Sequence, residues 1–339
     1  MKERTTLKPY TSDYYQNKFS HIYVEQEIKT HPVTLQILSK QPEASIVEIE
    51  NYAHVFNRPR QQFTVQKQSP KLILAQKKID FVYPGSVLCE NFGNRHFYYS
   101  ANILNCLYDC KYCYLQGMYG SANVVIFVNT EAYFEKIDEL SAKKDIYLCL
   151  SYDSDLLAFE NITGFASKWI DYAAQNKKVL LEIRTKSANF KAVAHKDIPG
   201  NIIFAWTLSP DIIVNEYENK TPSLEARLKS VMHAVEKGLQ IRLSFEPLMD
   251  VVDFEYIYSA FIQTVFKQIP AWAIRDVNIG VFRMSKEHYK RIEKSRPQSK
   301  LFAYPVHCQN GHVQYAREQE MKQFVVGEVQ KYLPAEKIF

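Results

Sequence analysis

From about Phe97 onward the chain alternates short apolar runs with helical segments, and this alternation restricts the fold more than any other feature. Strand-like runs lie at Phe97–Ser100, Val124–Val128, Ile146–Leu150, Val179–Ile183, Ile202–Leu208, Ile241–Phe245 and Val277–Phe282. Helical segments separate most of them. Thr130–Leu140 begins at an Asn-Thr pair that predicts a cap at Asn129. Ser223–Lys237 sets Leu224, Leu228, Val231 and Val235 on one stripe and stops at Gly238. Phe254–Phe266 and Ser285–Lys294 follow. Strands alternating with helices form parallel βαβ units. Six or seven such units fall one or two short of an eight-fold barrel. The expected fold is therefore α/β, a partial (β/α)6-type barrel with its chemistry at the C-terminal strand ends.

The flanks read differently. Ile22–Val24 and Ile46–Ile49 bracket a helix near Pro32–Leu38, a small βαβ unit. Asn57–Pro70 is polar and punctuated by Pro59 and Pro70, which predicts a loop before a strand at Leu72–Ala75. Near the other end, Leu301–Cys308 and His312–Ala316 flank Asn310-Gly311, a strong hairpin signal. An amphipathic helix, Glu318–Tyr332, comes last. The expected organisation is a flexible segment at 1–20, an N-terminal α/β extension at 21–95, the barrel at 96–284, and a C-terminal helix-hairpin-helix at 285–339.

Composition narrows the function only slightly. Apolar content of 46% and charged content of 23% are ordinary for a globular protein. No apolar run approaches the roughly 20 residues of a membrane span. A net charge of +5 permits a nucleic-acid partner without demanding one. The 23 Tyr and 20 Phe are permissive of base stacking, although most such rings pack cores. Neither a Gly-x-Gly-x-x-Gly nor a Walker loop is present, which argues against a Rossmann or P-loop site. Six cysteines without a disulfide framework or signal-peptide pattern imply a reducing, cytoplasmic setting. Cys89, Cys149 and Cys308 are expected to be small buried hydrophobes.

The other three cysteines carry chemistry. Cys106, Cys110 and Cys113 are spaced C-x3-C-x2-C. Three thiolates on a tight loop can hold three corners of a [4Fe–4S] cube and leave one iron open. An open iron can chelate the amino and carboxylate groups of S-adenosylmethionine, whose reductive cleavage starts radical chemistry. Tyr112, just before the last cysteine, fits beside a bound adenine. This pattern is similar to the signature of the radical S-adenosylmethionine superfamily. Structural zinc is the competing reading, but it normally takes four ligands, and here the nearest spare donors are Cys89 and His96.

A longer set of segments carries a more specific resemblance. Cys110-Lys-Tyr-Cys113-Tyr-Leu-Gln116, then Ser151-Tyr-Asp-Ser154-Asp155, Thr185-Lys186, Thr221-Pro-Ser-Leu-Glu-Ala-Arg227 and Glu246-Pro247 resemble the spore photoproduct lyase family, in order and from about residue 22 to the end. The resemblance implies repair of a methylene-bridged thymine dimer in DNA. A 5′-deoxyadenosyl radical removes a hydrogen from the lesion, the bond between the thymines breaks, and a cysteine returns a hydrogen atom. It also implies roles by position. Cys106, Cys110 and Cys113 match the cluster ligands, and Tyr112 and Tyr114 match tyrosines that pass the radical back. Ser151, Ser154 and Asp155 match the segment lining the cofactor pocket. Lys186 matches a lysine that pairs with the methionine carboxylate, and Thr207 a hydroxyl facing the cofactor. Arg227 follows the cofactor-side loop. The implied partners are damaged DNA with the dimer flipped out and an external electron donor such as flavodoxin or ferredoxin; the expected state is a monomer with no membrane association.

Two departures stand out. Where the family carries its hydrogen-donor cysteine this chain has Tyr152. A phenol can also give up a hydrogen atom. Cys149, three residues earlier, is expected on the opposite face of its strand, while Cys308 near the hairpin is a candidate to reach over the site. Second, Leu301–Tyr315 contains no Arg or Lys, only His307 and His312, where the family has several basic residues. Since phosphate contacts supply most non-specific affinity for DNA, compensation is expected from Arg58 and Arg60 or from Arg283, Lys286, Lys290 and Arg291. The alternative reading is an enzyme with the same cofactor chemistry and another substrate. A metal-stabilised nucleic-acid binder is the third; the Ser151–Asp155 segment and Lys186 argue against it.

Overall fold

The computed structural model describes residues 18–86 and 88–339, so the expected flexible segment 1–20 lies almost wholly outside the described residues. Six parallel strands form the barrel wall, in sequence order: Phe97–Tyr99, Ile146–Cys149, Val179–Thr185, Ile202–Thr207, Ile241–Leu248 and Ile274–Val281. Most of their residues are apolar and most are buried, Ile202–Thr207 throughout, while Phe97–Tyr99 is half-buried. Such unbroken runs suit strands covered on both faces by crossover helices. Tyr83–Pro84 closes one edge antiparallel to Phe97–Tyr99. This is the partial barrel expected from the alternation.

A second sheet stands beside it, in the order Ser45–Ile49, His21–Glu25, Leu72–Ala75, Val124–Phe127, Ile103–Leu104. The first two of these strands and the helix Pro32–Ser39 between them form the expected parallel βαβ unit. One strand is in a different place from that expected. Val124–Phe127 pairs with Leu72–Ala75 and Ile103–Leu104, not with the barrel. A short buried apolar run identifies a strand but not the sheet that takes it.

Local details depart in three further places. Phe63–Gln66, inside the expected loop 57–70, is a turn of helix that buries Phe63. Asn129 does not cap the helix Thr130–Ser141; its amide instead exchanges two 2.9 Å hydrogen bonds with the Lys77 backbone, tying the two sheet-end loops together. Leu301 lies in a helical turn, so the hairpin is only Val306–Gln309 with His312–Tyr315. Asn310 and Gly311 have φ of 50° and 78°, the left-handed pair that a tight primed turn requires. Arg283–Ser285 adds a third strand, which lays the hairpin against the end of the barrel. Ser223 and Ser285 do cap their helices, accepting from the backbone N–H of Ala226 and His288. No helix among the described residues is long and apolar enough to cross a membrane.

Candidate active site

A cavity of about 580 Å³ opens at the C-terminal ends of the barrel strands, and Cys106, Cys110 and Cys113 lie on its wall with Tyr112, Tyr114, Ser151, Tyr152, Ser154, Asp155, Lys186 and Thr207. Twelve side chains were expected at the site; these are eleven of them. The twelfth, Arg227, does not line it.

The loop carrying the three cysteines is held by several contacts. Asp109–Cys110 pairs antiparallel with Glu218–Asn219. The Gln116 amide donates to the carbonyls of Cys110 and Lys111 at 2.7 and 3.2 Å. Arg296 donates in turn to Gln116 and to Asp109, both at 2.5 Å. The ammonium of buried Lys67 donates to the Cys106 carbonyl. Asn105, at φ 66°, directs its amide to the carbonyls of Ser121 and Asn123, both at 2.8 Å. Burial pushes the Cys106 thiol up to about 12, the Cys110 thiol well above its ordinary value, and Cys113 upward too. Nearby Lys67 and Lys186 pull the other way. Metal coordination deprotonates a thiol outright, so these dry thiols suit a ligand role. Among the described residues no three His, Cys, Asp or Glu side chains converge on a single ion. Three thiols spread on one wall fit the separate corners of a cube better than a tetrahedral zinc site.

The other wall has unmet polar capacity. The hydroxyls of Ser151 and Ser154 are buried without a hydrogen-bond partner among the described residues, and both residues face the cavity. Buried polar groups normally find partners, so two orphans on one wall mark where a polar ligand would bind. Lys186 has no carboxylate within salt-bridge distance among the described residues; its ammonium lies 5.6 Å from the centre of the Tyr112 ring. Asp155 contributes differently from expectation. Its carboxylate accepts from the Thr185 hydroxyl and the Lys186 N–H at 2.7 Å and from the Ala158 N–H at 3.1 Å. It sets the turn that presents Lys186.

Arg227 corrects a sequence expectation. It is fully buried, and its guanidinium donates to Glu218, Thr221, the Pro222 carbonyl and the Thr207 carbonyl. It therefore supports the wall behind Thr207 and Tyr112. The Tyr112 hydroxyl donates to the same Glu218. Tyr114 donates to the Tyr152 carbonyl at 2.6 Å. Tyr152 stacks on Tyr99 with ring centres 4.1 Å apart.

The spare cysteines depart from expectation as well. Only Cys149 is buried; Cys89 and Cys308 are exposed. Cys149 faces the cavity together with Tyr152, because the strand ends at Cys149 and alternation does not extend into the loop beyond it. Cys308 is on the outer hairpin strand, outside the cavity lining. Cys89, expected to be a buried hydrophobe and not a site residue, lines the cavity, and its sulfur is 3.0 Å from the Tyr152 hydroxyl oxygen. Glu182, Arg184 and Glu246 form a charged floor, with Arg184 bridging the two carboxylates at 2.9 and 3.0 Å. Burial alone would raise the Glu182 carboxyl, but Arg184 and then Arg242 outweigh it and hold it below its ordinary value. Arg283, His288 and His312 also line the cavity. The other basic candidates are not in the lining: Arg58 donates to the His54 carbonyl, and Arg291 to Gly117 and Glu287.

A family model described as spore photoproduct lyase matches residues 98–338. The spore photoproduct lyase of Bacillus subtilis (strain 168) is 20% identical over 293 residues, covering 83% of this chain and 83% of that protein. Among solved structures, a mutant spore photoproduct lyase superposes with a TM-score of 0.82 at 17% identity, covering 95% of this chain and 99% of the other. A second mutant, with bound AdoMet and dinucleoside spore photoproduct, gives 0.79 at 18% identity over 94% and 97%.

Proposed function

The chain belongs to the spore photoproduct lyase family, and on that premise we propose that it is a radical S-adenosylmethionine enzyme that repairs the methylene-bridged thymine dimer in DNA. The observation that carries this reading is the meeting on one cavity of three thiols, two hydroxyls without a partner among the described residues, and a lysine ammonium near the Tyr112 ring. Cys106, Cys110 and Cys113 would hold a [4Fe–4S] cluster. S-adenosylmethionine bound beside that cluster would supply a 5′-deoxyadenosyl radical for hydrogen abstraction from the lesion.

The protein's own groups bind and orient. Lys186 offers its ammonium to the methionine carboxylate, a charge-assisted contact that fixes the cofactor end. Ser151 and Ser154 offer hydroxyls, and Thr207 offers a third. Asp155 holds Lys186 in place through its backbone N–H. Tyr112 and Tyr114 line the same cavity as the three cysteines. A base dimer reaches such a cavity only after leaving the duplex stack, so the lesion is flipped. Arg283, His288 and His312 would meet the flanking phosphates. An external one-electron donor of flavodoxin or ferredoxin type would reduce the cluster.

The decisive experiment is anaerobic reconstitution followed by assay of 5′-deoxyadenosine and thymine with and without a lesion-bearing oligonucleotide. Lesion-dependent product supports the reading. Tyr152, in place of the family cysteine, favours a second reading, the same cofactor chemistry on another substrate. S-adenosylmethionine cleavage that ignores the lesion would move the assignment there.

A further inference from the structure

The family position for the hydrogen donor holds a phenol here, and the cavity contains a thiol beside it. Resting on the repair reading above, we propose that Cys89 is the hydrogen-atom donor to the product radical and that Tyr152 works with it, restoring the thiol hydrogen after each transfer.

Geometry sets this pair apart from every other candidate. Cys89 Sγ and Tyr152 Oη are 3.0 Å apart, within the range in which oriented groups react, and both residues line the cavity that holds the cluster cysteines. The loop carrying Cys89 is tethered, since Arg283 donates to the Leu88 carbonyl at 2.6 Å. The Tyr152 ring is held in turn by its stack on Tyr99. The competing hydrogens are engaged elsewhere. The Tyr112 hydroxyl is directed to Glu218, and that of Tyr114 to the Tyr152 carbonyl. Cys149 faces Glu182 across 3.9 Å, and Cys308 lies outside the lining.

The sequence balances without an added oxidant or reductant. The S–H bond of Cys89 breaks and a C–H bond forms on the product carbon, leaving a thiyl radical. The O–H bond of Tyr152 then breaks, S–H re-forms, and a phenoxyl radical remains. The phenoxyl then takes a methyl hydrogen from 5′-deoxyadenosine and Tyr152 regains its O–H; the 5′-deoxyadenosyl radical left behind would re-form its bond to the methionine sulfur and return one electron to the cluster. Each hydrogen lost is replaced, so none is consumed overall.

Two measurements test the pair. Reconstituted wild type, Cys89→Ala, Tyr152→Phe and Cys308→Ala are given lesion-bearing oligonucleotide in D2O. In the wild type, solvent deuterium from the thiol enters the thymine product. Cys89→Ala should keep lesion-dependent cofactor cleavage while clean repair and deuterium content fall about tenfold or more. Tyr152→Phe should consume more cofactor per product, and Cys308→Ala should match the wild type. Separately, in metal-free protein, iodoacetamide labelling of Cys89 read by peptide mass should change about threefold or more in Tyr152→Phe, because the variant removes the group touching the sulfur. Unchanged repair and deuterium in Cys89→Ala overturns the donor assignment alone. Unchanged labelling in Tyr152→Phe overturns the pairing. A wild type indifferent to the lesion overturns the functional reading, and the donor assignment falls with it.

Discussion

The hydroxyl of Tyr112 donates to the carboxylate of Glu218, the same carboxylate that receives Arg227, so the aromatic residue inside the cysteine motif is braced by a fully buried ion pair. Glu218 belongs to the short strand that pairs with Asp109–Cys110. The pair therefore supports the cluster loop through both backbone and side chain.

Removing one partner of that pair should be costly. Arg227→Met leaves Glu218 buried and uncompensated, and breaking a buried ion pair typically costs about 3–5 kcal/mol. Thermal unfolding should report a loss of this order, together with poorer iron retention on reconstitution. A stability within about 0.5 kcal/mol of wild type would show that the pair braces nothing.

The same carboxylate gives a pH signature. Burial would raise Glu218, but Arg227 first and Lys186 next outweigh it and hold it below its ordinary value. A carboxyl depressed in the folded state contributes stability above its unfolded value, about 4.3, and loses it as pH falls through the folded value. Wild-type melting temperature should therefore drop through this acid window. In Glu218→Gln, already less stable at pH 7, the drop should be shallower. Parallel pH profiles for the two proteins would exclude this linkage.

Lys186 gives the cleanest test of the cofactor wall. Its ammonium makes no salt bridge among the described residues, so Lys186→Ala breaks no ion pair; besides the ligand contact it gives up only its place 5.6 Å from the Tyr112 ring centre and part of the field on Glu218. Affinity for S-adenosylmethionine, measured anaerobically by titration calorimetry, should weaken by about 1.5–3 kcal/mol, the range for a hydrogen bond to a charged group. An unaltered affinity would reduce Lys186 to a bystander. Cys110→Ala, by contrast, should lose the brown colour and the roughly four irons per chain that a cube requires.

DNA contact should run through Arg283. Arg283→Gln removes the charge yet keeps a donor for the Leu88 carbonyl. Affinity for lesion-bearing duplex, followed against salt, should fall with a slope shallower by about 0.9 in the double-logarithmic plot, one phosphate contact fewer. Slopes that coincide would place the phosphate contacts on other residues.

Legibility followed the kind of signal each residue carries. The barrel, its cluster loop and most of the pocket wall were readable because strand periodicity and the cysteine spacing are local properties. Val124–Phe127 reads as a strand from its apolar run, but such a run does not record its neighbours and so does not place it in the second sheet. Arg227 was misassigned because a charge next to a pocket segment reads the same whether it faces the ligand or the wall behind. Cys89 escaped because it lies in an aperiodic loop before the first barrel strand, and only folding brings it to Tyr152. A weak signal did exist: a cysteine on a polar stretch, Cys89-Glu90-Asn91, is poorly explained as core.

The pairing of Ile103–Leu104 with Val125–Ile126 means that the three cysteines sit on a loop whose two ends are already sewn together by the sheet. Closing a free loop of roughly 20 residues costs on the order of 3 kcal/mol in chain entropy, and here the β ladder meets that cost before any metal arrives. Zinc fingers behave oppositely: their folding free energy is the metal's binding energy. In this chain a cluster held by the three cysteines would leave and return with the surrounding scaffold still folded.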